Sequence, residues 1–173
     1  IERILNLLAP HECIQFDREG SLLCSVCILD ACPSVPERCF RCKKLMHDFA
    51  TCTNCRRNGA PSHVWVRTEY LDTAKRLVYD LKFKSARAAV VPIARLTTET
   101  LPNLPLDTLI VPIPTATKRR RQRGFDHTAL LARELSKRTG LSWESVLARS
   151  DQKRQVGASR EQRISQLADS FMA

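Results

Sequence analysis

The sequence predicts an α/β chain in which a small cysteine-rich module precedes a domain with a parallel sheet. Two observations carry this. All eight cysteines lie between Cys13 and Cys55, and none follows from Arg56 to Ala173. Beyond Pro61, apolar or β-branched runs alternate with segments of helical periodicity, the order that builds parallel sheets. The step in composition divides the chain into residues 1–60 and 61–173.

The 173 residues carry 28 Lys+Arg and 18 Asp+Glu, a formal charge of +10, with 43% hydrophobic and 27% charged residues. That is a globular composition and excludes a disordered chain. No run approaches the ~20 apolar residues that a membrane span needs. Residues Ile1 to Leu8 read as a short amphipathic helix and lack the basic segment, apolar stretch and cleavage site of a signal peptide. A cytoplasmic location and reduced thiols are expected. The missing initiator Met points to a processed or incomplete chain.

Residues 10–61 have little hydrophobic period, and such a segment needs a staple to fold. His63 to Leu71 alternates like a strand. Asp72 is placed to cap a helix with Leu77, Val78 and Leu81 on one face. A second helix is expected over Ala86 to Leu101, with Pro92 implying a late start or a kink. Thr108 to Ile113 reads as a strand covered on both faces. Asp126 caps a helix that carries Leu130, Leu131 and Leu135 inward and stops at Gly140. Trp143 to Ala148 is a further strand candidate, and Asp151 to Gly157 is polar. Ser159 to Gln162 is a capping box opening a last helix with Ile164, Leu167, Ala168 and Phe171 inward.

The cysteines form three equal pairs, Cys24/Cys27, Cys39/Cys42 and Cys52/Cys55. A C-x-x-C turn sets two thiolates on one side of a knuckle, and two facing knuckles supply the tetrahedron that Zn²⁺ prefers. Cys39/Cys42 with Cys52/Cys55 form the first expected tetrad, and Cys24/Cys27 with Cys39/Cys42 the alternative. Cys13 is the one thiol upstream of Cys24. Phe16 stands where a fourth knuckle would be completed, so either His11, Asp17 or Cys32 supplies the missing ligand or the second site is empty. A closed thiolate site is structural, because it leaves no open position.

The run from Leu109 to Thr128 holds a buried strand, then Lys118, Arg119, Arg120, Arg121 and Arg123, a turn at Gly124 and a helix start at Asp126. Guanidinium forks beside a helix start, at the carboxyl end of a parallel strand, are how α/β folds hold phosphate. The plainer alternatives are a solvated surface loop or a non-specific nucleic-acid patch.

Pro112-x-Pro114, then Arg123-Gly124-Phe125-Asp126-His127 and Leu130-Leu131-Ala132, resembles the signature of ComF-type phosphoribosyltransferase-like proteins, which are competence-associated. Their usual form is R-G-F-N-Q, of which R-G-F-D-H is a variant. Leu77 to Phe83 resembles the family's helix ending in L-K-[FY]. Gln155, Ser159, Arg163 and Phe171 match its Q-x-x-L-S segment, with Gln166 where Asn is usual. Together with the cysteine module in front, the resemblance covers nearly the whole chain. It implies a type I phosphoribosyltransferase-like parallel sheet behind a zinc ribbon, and a role in DNA uptake or nucleotide-related metabolism.

The same resemblance implies phosphate or pyrophosphate contacts from Thr115, Arg119, Arg120, Arg123, Gly124, Asp126 and His127, with Gln155 to Arg163 in a hood over the site. The cysteine spacing itself makes Cys13, Cys24, Cys27, Cys39, Cys42, Cys52 and Cys55 the expected metal ligands, with structural Zn²⁺. Phosphoribosyl pyrophosphate and Mg²⁺ are the substrate and cofactor of a complete form. The family's acidic pair and its T-T-G-x-T-like loop are not in this sequence: Thr97-Thr98 is followed by Glu99, and the five glycines form no cradle. The expectation is therefore a chain truncated at its C-terminus, or completed by a partner, that does not turn over substrate alone.

Three function classes follow. The first is a phosphoribosyltransferase acting through electrostatic stabilisation of departing pyrophosphate. The second is a zinc-ribbon accessory protein that binds single-stranded DNA or DNA-uptake proteins, with Arg56, Arg57 and residues 118–123 tracking phosphates. Against it, aromatic residues are only 6%, so stacking platforms are few. The third is a structural remnant. Trp65 and Trp143 are expected in the core, and His47 and His63 exposed or hydrogen-bonded.

Overall fold

In the computed structural model, the residues described are 11–57, 59–150, 157, 159–167 and 170–172. The expected helix over 1–8, the polar segment 151–156, Ala168 and Gln155 lie outside them. Helices α1 (Ser25–Ala31), α2 (Asp72–Phe83) and α3 (Val90–Thr98) precede the first of four two-residue strands, and α4 (Thr117–Arg123), α5 (His127–Thr139) and α6 (Arg160–Leu167) follow it. Strand β1 (Leu109–Ile110) pairs in parallel with β2 (Ser142–Trp143). Strand β3 (Ala148–Arg149) pairs antiparallel with β4 (Phe171–Met172). No described helix is long and apolar enough to cross a membrane.

Three helix ends lie where the chemistry demands, both ends of α5 and the start of α6. The Asp126 side chain accepts from the Thr128 N–H at the start of α5, and Gly140, at φ +77°, donates its N–H to the Ser136 carbonyl at the end. That left-handed stop suits glycine, because a Cβ there is strained. At α6 the capping box closes both ways, Gln162 N–H on Ser159 Oγ at 3.2 Å and Ser159 N–H on Gln162 Oε1 at 2.9 Å. Pro92 fits because α3 starts late: it is the third residue of the helix, where its missing N–H would have had no partner anyway.

Four expectations are corrected. His63 to Leu71 forms no paired strand. It is tied down only by the His63–Ala50 bridge and by scattered bonds such as Val35 N–H to the Arg67 carbonyl, and Val66, Tyr70 and Leu71 remain exposed. The run from Thr108 is not covered on both faces: β1 ends at Ile110, Leu109 is 43% exposed, and Pro112 and Pro114 have no N–H to extend a ladder. Trp143 to Ala148 splits into β2 and β3, with Trp143 exposed rather than in the core. Ile164 is 63% exposed, not inward, and Phe171 lies in β4 beyond the helix. The architecture is thus mixed helix with small sheets, and a parallel pair of two strands is too small to establish a larger parallel fold.

The core crosses residue 60. Cys13, Leu23, Cys27, Ile28 and Cys32 share one buried cluster with Leu77 and Leu81 of α2, Val90 and Leu96 of α3, and Phe125. Gln15 adds a side-chain bond to Thr73 at the start of α2. On the far side α3 lies against α5. Leu77 is 1% exposed at the centre of this cluster. Truncation there leaves a cavity, so Leu77→Ala should cost about 2–5 kcal/mol in chemical denaturation. A loss under ~1 kcal/mol would mean that the two segments do not share a core.

Candidate functional site

The tetrad forms from two turns. Cys39 donates its N–H to the Lys44 carbonyl and accepts from the Lys43 N–H, and Lys43 sits at φ +64°. Across from it, Cys52 accepts from the N–H groups of Cys55 and Arg56. The four sulfurs of Cys39, Cys42, Cys52 and Cys55 all lie within 4.8 Å of one another, with Cys42 and Cys52 at 3.6 Å. This is the first of the two expected pairings. A tetrahedral ion with bonds of about 2.3 Å to sulfur separates its ligands by about 3.8 Å, whereas a disulfide would need about 2.05 Å. The donor set therefore fits a metal ion.

Cys24/Cys27 instead meet Cys13. Cys13 and Cys27 are 3.5 Å apart, Cys24 and Cys27 are 3.4 Å apart, and the three form a second group that can hold a metal. Each group has one thiol that ionises easily and one that resists. For Cys39, N–H groups of Cys42 and Cys52 outweigh burial and bring the pKa to about 6. For Cys13, burial opposes ionisation, but N–H groups of Cys24, Gln15 and Phe16 bring it to about 7. Cys55, hydrogen-bonded to Cys52 and buried beside Cys39, is pushed up to about 12. Cys27 is pushed up to about 12 by burial and by Cys24 and Cys13. Packed thiols cannot all ionise together unless a cation compensates them.

The basic run does not fold as a loop. Lys, Arg and Gln are good helix formers, and residues Thr117–Arg123 make α4, which buries none of its residues and ends at Gly124 in the left-handed conformation. Lys118, Arg120 and Arg121 are exposed, and Arg119 is half-buried with a long bond to Gln122. Arg123 turns inward. Its Nε donates to the Lys82 carbonyl, its guanidinium lies 5.8 Å from the Phe83 ring centre, and Nη1 is 3.0 Å from His127 Nδ1. Arg87 supports the same turn, stacked 4.9 Å from the Phe125 ring centre. Arg123 therefore bonds to the Lys82 carbonyl and to His127 at once.

Asp126 organises the rest. It accepts from Thr115 N–H at 3.0 Å, Thr115 Oγ1 at 2.9 Å and Thr128 Oγ1 at 2.7 Å, besides capping α5. Burial opposes its charge, yet the bonds from Thr128 and Thr115 hold its carboxyl below the ordinary value. A guanidinium offers no acceptor, so His127 Nδ1 must accept and Nε2 carries the proton. Burial, then Arg123 and Lys82, lower the His127 pKa to about 4. Lys82 itself is lowered by burial and by Arg123. Thr115, Arg123, Asp126 and His127 are thus together, with Arg119 close enough to act on Arg123, while Arg120 faces solvent. Arg163 is a residue of α6. Lys82 and Thr128 belong to the cluster and were not singled out from the sequence, although Thr two residues after a capping Asp is a readable signal.

A neutral histidine in the fold makes stability depend on pH. The unfolded imidazole takes up its proton first, so stability is full above its ordinary pKa of ~6.5 and falls toward pH 4. The Asp126 contribution is present above ~3.9, the ordinary carboxylate value, and is lost as pH falls below it. NMR titration should show His127 unprotonated at pH 5.5 in the Nε2–H tautomer. Titration near 6.5 would contradict the cluster.

No protein-family model, no curated protein and no solved structure matches this chain.

Proposed function

We propose that this chain is a ComF-type phosphoribosyltransferase-like protein that binds a diphosphate-bearing ligand beside α4 and carries structural zinc in its cysteine clusters. The observation that carries the reading is the Thr115–Asp126–His127–Arg123 network, which lies just beyond β1 and next to a helix of exposed cations. The order of the motifs along the chain supports it: cysteine knuckles, the helix ending Leu81-Lys82-Phe83, then Arg123 to His127. In this reading the His127 Nε2–H and the cations of Arg119 and Arg120 meet the phosphate oxygens, and Arg123 and Asp126 position them. Zinc is the metal proposed because the donor sets are all thiolate and the tetrad is closed. Mg²⁺ would arrive on the diphosphate rather than on a protein site. The proposal is for binding of the diphosphate, the part of the family's site whose motif Arg123 to His127 resembles.

Isothermal titration with phosphoribosyl pyrophosphate, and with inorganic pyrophosphate, tests this. Both should bind, and Arg119→Ala with Arg120→Ala should weaken them on the order of tenfold or more, the loss of about one charge-assisted contact each. No heat with either ligand would overturn the reading. A second reading, a nucleic-acid accessory role, draws on the fact that α4 buries no residue. Salt-dependent binding of single-stranded DNA, lost in the same variant, with no heat from pyrophosphate, would favour it.

A further inference from the structure

The turn that carries Cys13 repeats the backbone of the turn that carries Cys39. Cys39 N–H bonds to the carbonyl five residues on, at Lys44, and the Lys43 N–H returns to the Cys39 carbonyl. Cys13 N–H bonds to the carbonyl five residues on, at Arg18, and the Asp17 N–H returns to the Cys13 carbonyl. Both turns place a left-handed residue fourth after the cysteine, Lys43 at φ +64° and Asp17 at φ +52°. A flanking bridge closes each, Arg38–Leu45 in one and Glu12–Glu19 in the other. The position equivalent to Cys42 is Phe16, and that side chain is 62% exposed. The first turn is a metal knuckle with one thiol removed and its backbone kept.

The described residues include all eight cysteines and all four histidines of the chain, so a fourth Cys or His ligand would be visible if it were in place. None joins Cys13, Cys24 and Cys27 within 4.8 Å. Cys32 is fully buried in the same core yet outside the group, and His11 and Asp17 are outside it as well. Cys24, half-buried, is the most accessible of the three thiols.

We infer that Cys13, Cys24 and Cys27 hold a metal ion through three thiolates and leave its fourth position to an exchangeable exogenous ligand, in contrast to the closed Cys39/Cys42/Cys52/Cys55 site. The inference rests on the reading that both clusters bind metal. Three protein ligands with an open fourth position are the arrangement of reactive zinc sites, whereas four thiolates make an inert structural one. The first site should therefore exchange its ion with solution, and accept a small nitrogen or sulfur donor such as imidazole.

The test uses the full chain loaded with ¹¹³Cd. Two resonances are expected, one in the four-sulfur range and one displaced toward the three-sulfur range. Imidazole should move the second and leave the first unshifted. With zinc, a chromophoric chelator should withdraw one equivalent quickly and one slowly, and Cys24→Ser should lower the metal content by one per chain and remove the fast phase. The ¹¹³Cd measurement needs no variant, so it decides the matter even if Cys24→Ser does not fold. Two four-sulfur resonances, or two equally slow equivalents, would overturn the open site while leaving metal binding intact. A single resonance would mean that the three-thiol group binds no metal, and no metal at all would overturn both readings.

Discussion

Sulfur atoms 3.4–3.6 Å apart without a covalent bond are the constraint on which the rest of this structure depends. Neutral thiols can share hydrogen bonds at these distances, but the thiolates cannot coexist unaided, because each ionised thiol raises the cost of ionising the next. A cation reverses the sign of that interaction. The consequence reaches past the cysteine module, since Cys13 and Cys27 are buried in the same cluster as Leu77, Leu81, Val90 and Phe125. The thiol group thereby sets the position of α1 against α2, and through α2 the place where the basic turn docks.

That docking divides the cations between two tasks. Arg123 Nε donates to the Lys82 carbonyl, and burial, together with Arg123 and Lys82, keeps His127 neutral. Arg120 and Arg121 of α4 are exposed to solvent. Asp126 ties the cluster together, because its oxygens hold Thr115, in the segment before α4, and Thr128 at the start of α5 at once.

Local chemistry was legible in the sequence, and long-range packing was not. The Asp126 cap, the Gly140 stop and the Ser159–Gln162 box follow from residue types at fixed short spacings, whereas the equal C-x-x-C spacings left two tetrads open and only the structure groups Cys39/Cys42 with Cys52/Cys55. The fate of His63 to Leu71 did not, because alternation says that a segment can be a strand and not that a partner is available. The same holds for Leu109 and Ile110, whose apolar run overstated their burial. Arg123 was indistinguishable from its basic neighbours until the helix placed it on the Lys82 carbonyl and left Arg120 in solvent. Phe16 was readable as a broken knuckle; that the backbone of the turn survives around it was not.

The central claim is that metal held by thiolates organises the fold, and stripping the metal tests it directly. The loaded chain and the chain dialysed against a strong chelator under reducing conditions would be compared by near-ultraviolet circular dichroism and thermal unfolding. The account predicts that the stripped chain loses its tertiary signal and its cooperative transition, and regains both when Zn²⁺ is returned. A metal-free chain with an unchanged spectrum and unfolding midpoint would contradict it.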